Sequence, residues 1–252
     1  MREAVLSKLK LCWSPEQIAG RFKRENGGKA RISHESIYTY IYSGYGIRNR
    51  WHECLRRKRR WRIPRIGRKQ RLQIPNRVGI VERSTEINKR QTFGHWEGDL
   101  MVFGRGTKTN LITLRERMSR YMVAVVNPSK HSEITASNII KALRPNQECV
   151  NSITFDNGLE FSKHETIAKD LKAATYFCEP YKSYQKGSVE NGNGLLRIDL
   201  PRNINSELIS TSRVNHLVKR INYRPMKCLD YQTPVEIFNQ CFKNIASGRR
   251  DF

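Results

Sequence analysis

The order of apolar and polar positions divides the chain into three textures. The first is short-range and helical. Trp13-Ser14-Pro15-Glu16-Gln17-Ile18-Ala19-Gly20-Arg21-Phe22-Lys23 opens with Ser14 as a helix cap, Pro15 in the first turn and Gln17 three residues after the cap. Ile18 and Phe22 then share a face. A turn-like break at Glu25-Asn26-Gly27-Gly28 leads to a second start at Ser33, with Ile37, Tyr38, Ile41 and Tyr42 at helical spacing. Two short helices joined by a basic, glycine-containing connection suit a helix-turn-helix reader of DNA, and equally a plain helical hairpin.

The second texture has no apolar face at all. Residues 48–71 carry twelve basic side chains and one acid, Glu53, with Trp51, Trp61, Pro64 and Gly67 scattered among them. This predicts an extended linker lying along phosphates, with Arg56, Arg57, Lys58, Arg59 and Arg60 as its densest run. The same run has the composition of a nuclear-localisation patch, which arises readily in nucleic-acid-binding chains.

The third texture begins at Phe93. His95 to Phe103 alternates as a strand, with Trp96, Gly98 and Leu100 on one face and His95, Glu97, Asp99 and Met101 on the other. Gly104-Arg105-Gly106 reads as a turn, and Leu111 to Leu114 and Tyr121 to Val126 as two further strands. A helical stretch from Ile134 to Leu143, a strand from Val150 to Phe155, a helix from Glu165 to Leu171, a strand from Ala174 to Cys178 and a helix after Gly187 follow. A three-strand meander followed by alternating helix and strand predicts an α/β sheet with helices on its faces.

Charge sharpens this division. The 252 residues hold 47 Lys and Arg against 23 Asp and Glu, a formal charge of +24 and a pI near 10.2. Residues 1–90 account for 24 basic and 7 acidic side chains, a net of +17, and the remainder for +7. Such an excess points to a polyanionic partner, gripped mainly by the N-terminal third. Six cysteines, Cys12, Cys54, Cys149, Cys178, Cys228 and Cys241, lie far apart without a C-x-x-C pair, as expected of reduced, mostly buried thiols. No apolar run approaches the roughly 18 residues of a membrane span, and no charged start followed by an apolar stretch and a small-residue cleavage site marks a signal peptide. A cytoplasmic, nucleoid-associated protein is the expectation.

Against that basic background three segments each offer a carboxylate. Asp99 lies on the first strand beside Glu97, Asp156 ends another strand at an Asp-Asn-Gly turn, and Glu190 sits on the helix after Gly187 with Gly194 and Arg197 on its face. Two divalent cations about 4 Å apart, held by carboxylates from separate parts of a fold, can activate an attacking hydroxyl and stabilise a leaving alkoxide. Each acid taken singly is also an ordinary turn or capping residue, and spacing does not show that they converge.

Gly94-His95-Trp96-Glu97-Gly98-Asp99, Phe155-Asp156-Asn157-Gly158-x-Glu160-Phe161 and Gly187-x-x-Glu190-Asn191-x-Asn193-Gly194-Leu195-Leu196-Arg197 resemble the three catalytic segments of the insertion-sequence-30 family of D-D-E transposases. Asn222-Tyr223-Arg224-Pro225-Met226-Lys227-Cys228-Leu229 with Thr233-Pro234 is similar to that family's last helical segment. Trp13 to Lys23 and Ile32 to Tyr42 are similar to its upstream helix pair. The resemblance implies a small helix-turn-helix-like DNA-binding segment over 1–47, a basic linker over 48–90 and a ribonuclease-H-like catalytic core over 91–245. In that core Asp99, Asp156 and Glu190 hold two Mg²⁺ ions, for which Mn²⁺ can substitute, and His95, Trp96 and Asn157 support the site. It further implies double-stranded DNA partners, both element ends and target, contacts from Arg56–Arg60 and Arg197, and a homo-oligomer assembled on DNA. Two departures stand out. The family carries a further helix-turn-helix upstream, so a copy shortened at its N-terminus is expected. After Arg197 the chain reads Ile198-Asp199-Leu200-Pro201-Arg202 where the family continues with an aromatic-rich Pro-Lys segment.

Three other readings compete with a transposase. A DNA-binding remnant would compete at element ends without chemistry. A ribonuclease-H-type nuclease would act on hybrids, although the helix pair and basic linker suit duplex DNA better. Tyr181 and Tyr184 invite a tyrosine-recombinase reading, but no array of Arg and His accompanies them.

Overall fold

The computed structural model describes residues 1–55, 74–104, 107–179, 182–205 and 208–247. Arg56, Arg57, Lys58, Arg59 and Arg60 with the rest of 56–73 in the expected linker, part of the Gly104-Arg105-Gly106 turn, and Tyr181 fall outside them, as does the side chain of Tyr184. Two compact units are formed, Met1–Lys69 with Tyr223–Ile237, and Gln70–Asn222 with Phe238–Phe252.

The first unit holds α1 (Arg2–Lys10), α2 (Pro15–Glu25), α3 (His34–Ile41) and α4 (Gly44–Arg48). The capping box expected at Ser14 is present: Gln17 N donates to Ser14 Oγ at 3.3 Å and Ser14 N to Gln17 Oε1 at 2.8 Å. Ser33 caps α3 through Ser36 N, and Gly27 and Gly28 turn the chain between the helices with φ of +60° and +84°. Val5, Leu9, Trp13, Ile18, Ile37 and Ile41 form the core. Tyr42 does not join it, because α3 ends at Ile41 and the tyrosine, as its cap, is exposed.

A distant segment closes over α2. Gln17 Nε2 donates to Pro225 O at 2.7 Å, Arg21 forks onto Glu236 with two 2.9 Å bonds, and Arg24 pairs with Asp230 at 2.7 Å. The stretch around Asn222–Leu229, similar to a helical segment in sequence, is a turn between helices. Pro225 lacks an N–H, and Asp230 and Tyr231 take left-handed φ values of 49° and 58°.

In the second unit five strands lie in the order β3-β2-β1-β4-β5. β1 (His95–Val102), β2 (Asn110–Glu116) and β3 (Met122–Asn127) are the expected antiparallel meander. β4 (Ser152–Phe155) and β5 (Ala174–Phe177) extend it in parallel on the other side of β1. The face of β1 that carries Glu97 and Asp99 also packs into the core. Met101 enters a core with Leu111, Met122, Leu195, Leu196, Val214 and Leu217, from the face covered by α8 (Gly187–Asp199) and α9 (Thr211–Asn222). On the opposite face α6 (Ser132–Leu143) packs with α7 (His164–Leu171). Gly98 also points to that face, and a Cβ there would stand 2.5 Å from the Phe155 ring. α10 (Pro234–Ala246) brings Phe238 onto Tyr121, with ring centroids 4.2 Å apart.

The later half of the stretch read as linker is built onto this sheet. Phe177 N donates to Val78 O at 2.9 Å, Ile80–Glu82 forms a short 3₁₀ turn, and α5 (Thr85–Lys89) follows. Arg83, 5% exposed, donates to Thr154 Oγ1 at 2.9 Å. Widely spaced apolar anchors, Ile74, Ile80 and Ile87, and the buried Arg83 hold this segment, and that spacing is why its pattern reads as unstructured. Cys149, Cys178 and Cys241 are buried, Cys12 and Cys54 half-buried, and Cys228 exposed. Among the described residues no helix is long and apolar enough to cross a membrane.

Candidate active site

Asp99 leaves β1 on the same face as Glu97, and Asp156 follows β4, the parallel neighbour of β1. Adjacent parallel strands thus bring both acids to one edge of the sheet. An Asx turn fixes the second, Gly158 N donating to Asp156 Oδ1 at 3.1 Å. Asn157 next to it donates from Nδ2 to Cys178 O at 2.6 Å, tying this loop to the end of β5.

Between the two carboxylates stands a side chain with no obvious signal in the sequence. Lys186 immediately precedes α8 and is 3% exposed. Its Nζ donates to Asp99 Oδ1 at 2.9 Å and to Gly98 O at 3.1 Å, and lies 3.3 Å from Asp156 Oδ2. Burial alone would lower the pKa of this ammonium. Asp99 and Asp156 outweigh it and hold Lys186 above its ordinary value. From α8, Asn193 Nδ2 donates to Asp99 Oδ2 at 2.6 Å, while its buried Oδ1 has no hydrogen-bond partner among the described residues.

The start of α8 is pinned against the sheet independently of these acids. Val189 N donates to Glu97 Oε2 at 2.9 Å, and Glu97, fully buried, is also paired with Arg117. Buried Arg115 donates from Nη1 to Ser188 O at 2.8 Å. Gly192 allows this approach, since a Cβ there would already stand 3.0 Å from Met122 Sδ. Glu97, a spare acid by motif, is therefore a bracket for α8.

Glu190 is exposed in the first turn of α8, four residues after Lys186 and three before Asn193. The i,i+3 spacing within α8 makes Glu190 a neighbour of Asn193 on the helix surface. Among the described residues no three His, Cys, Asp or Glu side chains already stand as a metal-holding group. Asp99 and Asp156 are brought together on Lys186, and Glu190 lies one turn from Asn193, which bonds Asp99. Glu160 lies nearby, its carboxyl pushed up first by burial and then by the charges of Asp156 and Asp99. Arg197 continues the helix face, but donates to Val102 O at 2.7 Å and lies 5.0 Å over the Phe103 ring.

The supporting residues are also located. Trp96, fully buried, donates from Nε1 to Cys149 O at 2.9 Å. His95 Nδ1 meets Ser152 Oγ at 2.8 Å, and burial with the nearby Arg117 and Arg83 charges pushes its pKa down to about 4. Lys186 and the Asn193–Asp99 bond were missed from the sequence. The one signal that could have flagged them is their position four before and three after Glu190.

Two carboxylates and a backbone carbonyl around one cation make an oxygen donor set of the kind that hard divalent ions take. The residues present therefore fit a divalent metal.

Residues 89–183 match the family model of the integrase core domain, a span that includes Asp99 and Asp156 and stops short of Glu190. The chain is 36% identical over 242 residues to a transposase for insertion sequence element IS4351 of Bacteroides fragilis, an alignment covering 95% of this chain and 73% of that one. It is 33% identical over 242 residues to a transposase for insertion sequence element IS1086 of Cupriavidus metallidurans, covering 92% and 70%, and 34% identical over 252 residues to the transposase InsI for insertion sequence element IS30A of Escherichia coli, covering 95% and 64%. Of solved structures, the catalytic core domain of BIV integrase aligns with 61% of this chain and 98% of its own at 21% identity and a TM-score of 0.48.

Proposed function

Because this chain belongs to the insertion-sequence-30 family of transposases, whose chemistry is DNA cleavage and strand transfer, we propose that Asp99, Asp156 and Glu190 are its metal-holding acids. The observation that carries this reading is the meeting of Asp99 and Asp156 on a single cationic group, at 2.9 and 3.3 Å. When bound, two Mg²⁺ ions would supply activation of the attacking hydroxyl and stabilisation of the departing 3′ oxygen.

The chain's own residues would do the rest. Asn193 orients Asp99 through Oδ2, and the Asx turn holds Asp156 at the strand end. Glu97 and Arg115 fix the first turn of α8, and with it Glu190. The substrate on this reading is double-stranded DNA, first at the element ends and then at the target, bound by a homo-oligomer assembled on it. Residues 1–47 act as the DNA-reading segment, the basic run that follows as the connection, and the unit built on the five-stranded sheet, which begins before residue 91, as the catalytic core, in the cytoplasm on the nucleoid. Arg56, Arg57, Lys58, Arg59 and Arg60 contact phosphates.

Cleavage of a duplex carrying the element end, in the presence of Mg²⁺, tests the assignment. Asp99→Asn, Asp156→Asn and Glu190→Gln each abolish cleavage and strand transfer while gel-shift binding persists, since removing one acid leaves the fold's packing in place. Near-normal cleavage by one variant removes that residue from the site. A wild-type chain that binds ends without cutting them favours a DNA-binding remnant instead.

A further inference from the structure

We infer that Lys186 is an internal cation that holds Asp99 and Asp156 together and exchanges with a divalent ion. Metal loading then requires its ammonium to leave the acid pair; this rests on the reading of those two acids as metal ligands.

The argument begins with the inventory of donors. An ammonium has three N–H groups and no acceptor. Around Lys186 Nζ there are three oxygens, Asp99 Oδ1 at 2.9 Å, Gly98 O at 3.1 Å and Asp156 Oδ2 at 3.3 Å. Two donors are hydrogen-bonded, Asp156 completes an ion pair, and the residue is 3% exposed. An ion-binding position is already filled by a charge that belongs to the chain. A divalent ion needs those oxygens at 2.0–2.1 Å for Mg²⁺, and an ammonium beside it would be a like charge at contact distance. Both cannot occupy the pair.

The backbone permits such an exchange. Lys186 stands at the joint between the 3₁₀ turn Ser183–Lys186 and the start of α8. α8 is held on the sheet by Val189 to Glu97, Arg115 to Ser188 and Asn193 to Asp99, none of which uses the lysine. The side chain can therefore swing through its own rotamers without displacing the helix that carries Glu190.

The exchange also reverses the local charge. Two carboxylates with one ammonium carry a single negative charge, which opposes a phosphodiester. The same carboxylates neutralised by one divalent ion, with the ammonium released beside them, leave a single positive charge, which attracts one. Metal loading would thus prepare the sheet edge for the DNA backbone, and the metal-free acids would stay paired and idle.

Two measurements on the full-length chain test this. In the wild-type protein, reductive methylation read by mass spectrometry should label Lys186 far more slowly than the exposed Lys108 and Lys172. Saturating Mn²⁺ should raise labelling of Lys186 several-fold and leave the other two unchanged. In Lys186→Met, Mn²⁺ should bind roughly ten- to a hundredfold more tightly by calorimetry, because the charge-assisted hydrogen bonds it must displace are gone. Should that variant not fold, the wild-type labelling decides alone. Lys186 labelling unchanged or reduced at saturating Mn²⁺, or equal or weaker Mn²⁺ binding by a folded Lys186→Met, overturns the exchange while leaving the acids as ligands. No Mn²⁺ binding by either protein, or binding unaffected by Asp99→Asn, overturns the ligand assignment and the exchange together.

Discussion

Asn193 donates from Nδ2 to Asp99 Oδ2 at 2.6 Å, joining the middle of α8 to the middle of β1 across 94 residues of sequence. The bond holds the second carboxylate oxygen of an acid whose first is held by Lys186, and it leaves the buried amide oxygen of Asn193 without a hydrogen-bond partner among the described residues. On the metal-ligand reading, Asn193→Ala lowers the cleavage rate or the metal affinity about ten- to a hundredfold, the usual consequence of removing a group that orients a ligand. Single-turnover cleavage across an Mn²⁺ titration measures both. Wild-type rates at every metal concentration would show that Asp99 needs no such hold.

Gly98 has a packing reason of its own. Its missing side chain makes room for the Phe155 ring, which is fully buried and stacked on Phe161 with centroids 4.5 Å apart. Gly98→Ala must push that stack or bend β1 next to Asp99, so a loss of about 1–3 kcal/mol in stability is expected. Urea denaturation measures it. A midpoint shift near zero would mean that the ring pair has slack that its burial does not suggest.

His95 predicts a specific pH dependence. Burial, followed by the charges of Arg117 and Arg83, pushes its pKa down to about 4, against about 6.5 in an unfolded chain. Between these values the unfolded state binds more protons than the folded one. The neutral imidazole therefore contributes stability that is fully present above pH 6.5 and is lost as pH falls toward 4. His95→Asn should flatten the stability profile across that window in thermal melts, with a difference on the order of 2 kcal/mol at its ends. Parallel profiles for the two proteins would count against a depressed His95.

The basic run makes a prediction that does not depend on the metal. If Arg56, Arg57, Lys58, Arg59 and Arg60 neutralise phosphates, replacing all five with Ala should weaken binding to all duplexes alike. It should also flatten the salt dependence by about 0.9 log units per log unit of salt for each phosphate that the run no longer neutralises. Fluorescence anisotropy from low to near-physiological salt measures the slope, and an unchanged slope would mark the run as solvated.

What the sequence determined about this protein lies within a few residues of each signal. Ser14 and Gln17 close their capping box because the bond partners are three residues apart. Glu97 and Asp99 share a face because a strand repeats every two residues. The antiparallel meander followed by parallel strands was likewise readable from alternation, turns and helical spacing, and the three acid segments from their motifs.

Tertiary structure decided the rest, wherever a side chain's role depends on an element far away in the chain. Lys186 reads as one of 47 basic residues until β1 and β4 run side by side and the start of α8 is laid over them. Arg21 looks like an exposed helix arginine, yet its fork closes on Glu236, 215 residues away. Arg83 belongs to a stretch read as basic linker, and its bond to the buried hydroxyl of Thr154 helps to make it part of the sheet. Local hydrogen bonds and side-chain periodicity are written in neighbouring residues. Which helix covers which strand is settled by burying the whole core at once, and that choice brought the acids, the lysine and the asparagine to one place.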